Sequence, residues 1–143
     1  MFAWVLRFGF LGLGNPSTFA GIVLLVSSMI VYGVAFDFFN ISGSLYVDQE
    51  TDPSIRSSAQ GVFMLMTNGF GAAIGSLAAQ KVINCLVTVH LDPSQMVNGV
   101  YPAAQSQLIM SGWSNSWFIF AGFSLVVAIL FAWLFKYKHV AQN

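Results

Sequence analysis

The residues of this chain best suited to chemistry stand together in one apolar stretch, Val31-Tyr32-Gly33-Val34-Ala35-Phe36-Asp37-Phe38-Phe39-Asn40. The run before it, 19–31, carries no charge. A carboxylate inside a membrane-crossing helix costs about 3 kcal/mol or more, so it faces a cavity or a partner and marks a pathway. A carboxyl at that depth can take up and release a proton, the chemistry that proton coupling needs. Asp37 is therefore a candidate for proton coupling or gating, or a structural acid paired with a base on another helix. Tyr32, Phe36 and Asn40 follow at four-residue steps, which places them on one helical face. A phenol, a phenyl ring and an amide in a row suit a planar, hydrogen-bonding solute such as a nucleobase or a sugar. Packing within a helical bundle would use the same aromatic stripe.

Other chemistry is poorly provided for. The chain has no glycine-rich phosphate loop, no HExxH and no paired-carboxylate arrangement, so no catalytic residue is assigned and an enzyme is not expected. His90 and Asp92 share a polar stretch, but two ligands at that spacing do not make a metal site. Cys85 is the single cysteine, which leaves no disulfide framework and no metal-ligand spacing. No metal or cofactor is expected. Gln60, Thr67 and Asn68 are polar within an apolar segment, which interhelical hydrogen bonding explains. Arg7 either pairs with an acid or snorkels to the membrane face.

The composition sets the class. Of 143 residues, 57% are hydrophobic and 7% charged. Soluble domains carry about 25% charged residues, so a soluble globular domain is excluded. The net charge is zero, and nothing in it favours nucleic acid. Arg7 follows the first apolar residues rather than preceding them, which is not the order of a signal peptide.

Four hydrophobic segments must position these residues. The first, 1–14, reaches roughly 21 Å as a helix, short of the hydrocarbon core of about 30 Å, so it reads as a truncated span. Asn15-Pro16-Ser17-Thr18 forms a polar turn in which Ser17 or Thr18 caps the next helix. The second segment, 18–47, has its midpoint near Tyr32 and ends at Asp48-Gln49-Glu50-Thr51-Asp52-Pro53. The third, 54–84, is rich in small residues; Gly71 and Gly75 give a small-xxx-small spacing suited to close helix packing. The stretch 85–112 is more polar and reads as an external loop with one short helix around 103–110. The fourth segment, 113–135, carries Trp113 and Trp117 at one end and Trp133 and Tyr137 at the other, an interfacial aromatic belt. The fold expected is all-α and integral to the membrane, with four transmembrane helices in one partial domain over 1–143. Arg56, Lys136 and Lys138 lie on one side and place the 48–57 connection and the C-terminus in the cytoplasm by the positive-inside rule. Lys81 stands apart at the end of the third span. Lys136-Tyr137-Lys138-His139 serves as a membrane-edge anchor.

Several strings resemble a known family. Tyr32-Gly-Val-Ala-Phe36-Asp37-Phe-Phe-Asn40-Ile-Ser-Gly-Ser44 is similar to the tenth helix of the nucleoside:proton symporters of the major facilitator superfamily. Ile55-Arg56-Ser-Ser-Ala59-Gln60-Gly61 and Met66-Thr67-Asn68-Gly69-Phe70-Gly71 resemble their eleventh helix. Phe118-Ile-Phe-Ala-Gly122 and Phe135-Lys136-Tyr-Lys138-His139-Val140 resemble the twelfth helix and its tail, and Leu6-Arg7-Phe8-Gly9 fits the ninth. The resemblance implies the C-terminal part, helices nine to twelve, of a twelve-helix carrier built from two six-helix halves with the site between them. It implies secondary active symport of nucleosides with protons across a bacterial inner membrane, driven by the proton gradient and without a cofactor. Its partners would be nucleosides, protons, the lipid bilayer and the N-terminal helices that this chain lacks. It also implies that Tyr32 and Phe36 contact the nucleoside, that Asp37 is the candidate for proton coupling or gating, and that Asn40 lines the cavity. The alternative is a small membrane scaffold or subunit without transport activity.

Overall fold

The computed structural model describes residues 1–97 and 99–134. The described residues form helices and turns: α1 (Phe2–Leu13), α2 (Phe19–Glu50), α3 (Arg56–Met64), a π-helical stretch (Leu65–Gly71), α4 (Ala72–Leu86), two 3₁₀ turns (Thr88–His90 and Pro93–Gln95) and α5 (Ala103–Leu134). One isolated antiparallel bridge joins Val97 and Val100, beside Gly99 at φ +78°. Three helical runs are long and apolar enough to cross a membrane: Phe19–Glu50, Arg56–Gln95 and Ala103–Leu134. At 12 residues α1 is too short, as the length of segment 1–14 implies. Lys136, Tyr137, Lys138 and His139, and with them the expected C-terminal anchor and the 135 end of the last span, lie outside the described residues.

The α1–α2 turn forms as its residues dictate. The Asn15 Oδ1 accepts from the Ser17 N–H at 2.9 Å, and the Thr18 hydroxyl accepts the Gly21 N–H at 3.1 Å. Thr18 is thus the cap of α2. Gly21 is needed here, because a Cβ would stand 2.0 Å from the Asn15 carbonyl oxygen.

The polar stretch after α4 is shorter than expected, because α5 begins at Ala103 rather than near Trp113. Residues 103–112 join that helix, the short helix expected around 103–110 being its first turns. Pro102 precedes it and no proline interrupts it. Two of its serines bond within it: Ser111 donates to the Leu108 carbonyl at 2.9 Å and Ser116 to the Gly112 carbonyl at 2.8 Å.

The chain divides into two compact units, 1–32 with 117–143, and 33–116. In the first, α1 packs through small and aromatic residues. Phe8 stacks on Trp117 with ring centroids 6.1 Å apart and meets Phe120 at 5.9 Å. Gly12 lies under the Phe118 ring, which a Cβ would approach to 3.1 Å. Ser28 is fully buried and donates to the Leu25 carbonyl at 2.6 Å.

In the second unit, α2 and α3 are joined three ways. Phe63 fills the notch at Gly43, where a Cβ would come within 2.4 Å of its ring, and meets Phe39 at 6.4 Å. Ser44 and Gln60 exchange hydrogen bonds. Asp48 and Arg56 form an ion pair at 3.1 Å. At the other end Val87 is buried, and the Leu86 carbonyl packs against Gly112 of α5. Gln105 donates to the His90 carbonyl.

Most large apolar side chains are exposed, Phe19 at 84% among them. On helices of this length that surface is suited to hydrocarbon or to further helices. The small-residue face of α4 is open as well. A Cβ at Gly75 would meet no atom within 4 Å, so among the described residues the Gly71/Gly75 spacing packs no neighbour there.

Candidate functional site

Tyr32 belongs to the first unit and Phe36, Asp37 and Asn40 to the second, along the unbroken helix α2.

Tyr32 is half-buried against α1. The Arg7 guanidinium carbon stands 3.9 Å from its ring centroid, 5.4 Å from that of Trp4 and 5.3 Å from that of Phe8. The Trp4 ring meets Tyr32 edge-on, 5.7 Å between centroids at 71°. Trp4, Arg7 and Phe8 share one face of α1 through their three- and four-residue spacing. They form an aromatic box around a cation, a cation–π arrangement. Among the described residues Arg7 pairs with no acid, and its guanidinium lies over these rings.

Phe36 is 39% exposed, so its ring remains accessible to a flat ligand. Asp37 is exposed on the middle of α2. Within its own unit, and among the described residues, it forms no ion pair. Asn40 turns its amide back on the helix: its Nδ2 donates to the Phe36 carbonyl at 2.8 Å. That bond fixes the direction of the side-chain amide.

The polar residues of the third run behave in two ways. Gln60 bonds between helices, as expected. Thr67 and Asn68 do not: Thr67 donates to the Phe63 carbonyl at 2.8 Å, and Asn68 reaches the Met64 sulfur at 3.6 Å. Both side chains stay on their own helix, within the π-helical stretch Leu65–Gly71. Such wide turns occur often at functional sites, and the residue types did not reveal this one.

The remaining candidates are structural. Asp92 accepts from the Ser94 N–H at 3.0 Å, the Ser94 hydroxyl at 2.7 Å and Gln95 at 3.2 Å, closing a turn. Cys85 is exposed and free. Among the described residues no group of three or more His, Cys, Asp or Glu side chains could hold a metal ion.

Residues 1–140 match the Nucleoside H+ symporter family. The chain is 48% identical over 138 residues to the nucleoside permease NupG of Escherichia coli (strain K12), covering 96% of this chain and 28% of that protein. It is 48% identical over 139 residues to the xanthosine permease of the same organism, covering 97% of this chain and 28% of that one. The crystal structure of the nucleoside transporter NupG superposes with a TM-score of 0.72 at 47% identity, over 96% of this chain and 29% of that structure. The chain thus spans less than a third of the length of these relatives, which are permeases rather than enzymes.

Proposed function

The chain belongs to the nucleoside H+ symporter family, and we propose that it supplies helices nine to twelve of a proton-coupled nucleoside carrier in a bacterial inner membrane, with its C-terminus in the cytoplasm. In this reading α1 is part of the ninth helix, α2 the tenth, the run from α3 through α4 the eleventh, and α5 the twelfth. The observation that carries it is the Tyr32–Phe36–Asp37 sequence on an unbroken membrane-length α2, in a chain 48% identical to nucleoside permeases.

The roles follow from the chemistry of each group. The exposed Phe36 ring stacks on the base, an interaction worth about 1–3 kcal/mol per base. Tyr32, four residues earlier in the sequence, supplies a hydrogen bond, and Asn40 lines the carrier's cavity. Asp37 has a carboxyl that can take up a proton on one side of the membrane and release it on the other. Helices preceding this chain provide the opposite wall, so these residues form one wall of the site. Symport driven by the proton gradient needs no cofactor.

The experiment is uptake of radiolabelled uridine by cells expressing the full-length carrier, with acid outside and with the gradient collapsed by a protonophore. The reading requires saturable uptake that the protonophore abolishes. Cells expressing residues 1–143 alone should show none. An absence of nucleoside uptake by the full-length protein would favour a scaffold or subunit instead.

A further inference from the structure

We infer that Arg7 is a positioning residue for Tyr32: its guanidinium, laid over the phenol ring within the Trp4–Phe8 box, fixes the direction in which the tyrosine presents its hydroxyl. The inference rests on Tyr32 being a nucleoside contact, as proposed above.

The geometry is specific. At 3.9 Å from the ring centroid the guanidinium carbon is at stacking distance, closer than to either other ring. Trp4 meets the ring in a T-shaped contact with centroids 5.7 Å apart. A tyrosine otherwise has several staggered χ1 wells; with the guanidinium and the indole both against the ring, rotation away from the observed position must displace one or the other. Box and ring are tied in turn to α5, because Phe8 stacks on Trp117.

The cation itself is unusual here. Its Nε is buried without a hydrogen-bond acceptor, and among the described residues no carboxylate pairs with it. A charge in apolar surroundings is costly, and the three rings offset part of that cost. A planar, weakly hydrated guanidinium stacks on aromatic faces in a way that a lysine ammonium does not. Its role follows from the principle that a binding group works best when its rotamer is locked by its own neighbours before the ligand arrives. The i, i+3, i+4 spacing of Trp4, Arg7 and Phe8 provides that lock from a single helical face.

The test compares Arg7→Met and Arg7→Lys in the full-length carrier, measuring uridine uptake normalised to carrier in the membrane. Arg7→Met should raise the apparent KM about three- to tenfold, with Vmax within about twofold of the parent, and Arg7→Lys should fall between. In a Tyr32→Ala background Arg7→Met should change KM no further, since coupled residues are non-additive. A fall in Vmax at unchanged KM, or additive effects, would overturn the inference. A second measurement is independent of transport: 3-fluorotyrosine placed at position 32 and read by fluorine NMR. Arg7→Met, or Arg7→Lys if the first variant fails to accumulate, should move and broaden that resonance. An unmoved, equally narrow resonance overturns the positioning role whatever uptake does. A moved resonance together with parental KM in Tyr32→Ala keeps the positioning role and removes the nucleoside contact.

Discussion

Ser44 and Gln60 hold α2 and α3 together by a reciprocal pair of hydrogen bonds. The Ser44 hydroxyl donates to the Gln60 side-chain oxygen at 3.0 Å, and the Gln60 amide donates to the Ser44 carbonyl at 2.7 Å. Gly43, one residue earlier, makes room for Phe63. The two helices are therefore joined by a polar clasp beside an apolar one. Four residues further along α2, the Asp48–Arg56 ion pair closes the same seam.

The clasp should be measurable and modest. Hydrogen bonds between membrane helices are worth about 0.6 kcal/mol on average and at most about 1.7. A double-mutant cycle of Ser44→Ala and Gln60→Leu, read by unfolding in mixed detergent, should give a coupling energy in that range. A coupling of zero would mean the pair is not formed in solution. The Asp48–Arg56 pair, more exposed, should contribute about 0–1 kcal/mol and fade with added salt.

Glycine positions should separate by what stands opposite them. A Cβ at Gly112 would come within 2.1 Å of the Leu86 carbonyl oxygen, a backbone atom that cannot swing aside, whereas a Cβ at Gly61 meets nothing within 4 Å. Gly112→Ala should cost about 1–3 kcal/mol by overpacking. Gly61→Ala should be neutral or stabilising by up to about 1 kcal/mol, since alanine is the better helix former. Thermal unfolding of the two detergent-solubilised variants checks the contrast; equal midpoints would contradict the close approach of Leu86 to α5.

The connection between α2 and α3 carries a pH signature. Asp52 accepts from the Ser54 hydroxyl at 2.7 Å and from the Ser54 N–H at 2.8 Å, and these bonds, the hydroxyl first, hold its carboxyl below the usual carboxylate range. A depressed pKa means that the turn gains its stability above the unfolded value, about 3.9, and loses it as pH falls through the lower folded value. Carbon-detected NMR titration should show a midpoint below the ordinary one, and Ser54→Ala should move it up. A midpoint unchanged by Ser54→Ala would mean the hydroxyl does not bond the carboxylate.

Asp37→Asn removes the carboxylate while keeping its size and one hydrogen-bonding oxygen. Uridine uptake by the full-length carrier should either disappear or lose its dependence on external acid. Uptake with the parent's pH dependence would take the proton-coupling role away from Asp37.

Much of this fold could be read from local signals. The Asn15–Thr18 turn, the start of α2 and its end before Pro53 follow from capping and breaking residues, whose effect is local. The early start of α5 was hidden because Gln105, Ser106 and Ser111 look like loop residues, and the serines' accommodation depends on hydrogen bonds to nearby backbone carbonyls. The π-helical stretch Leu65–Gly71 leaves no mark in hydrophobic spacing. The candidate wall was legible as a stripe at four-residue steps. The box around Arg7 was not, because Trp4 and Phe8 share its helix but Tyr32 comes from another, and pairing between helices is not written in either one.

The central claim is that Phe36 and Tyr32 are a nucleoside-binding wall, and saturable uridine uptake by the full-length carrier tests it most directly. Loss of base stacking, about 1–3 kcal/mol, should raise the apparent KM of Phe36→Ala roughly 5- to 150-fold, and Tyr32→Ala should weaken uptake strongly, each at parental carrier levels in the membrane. Parental KM and Vmax in both variants would contradict the assignment.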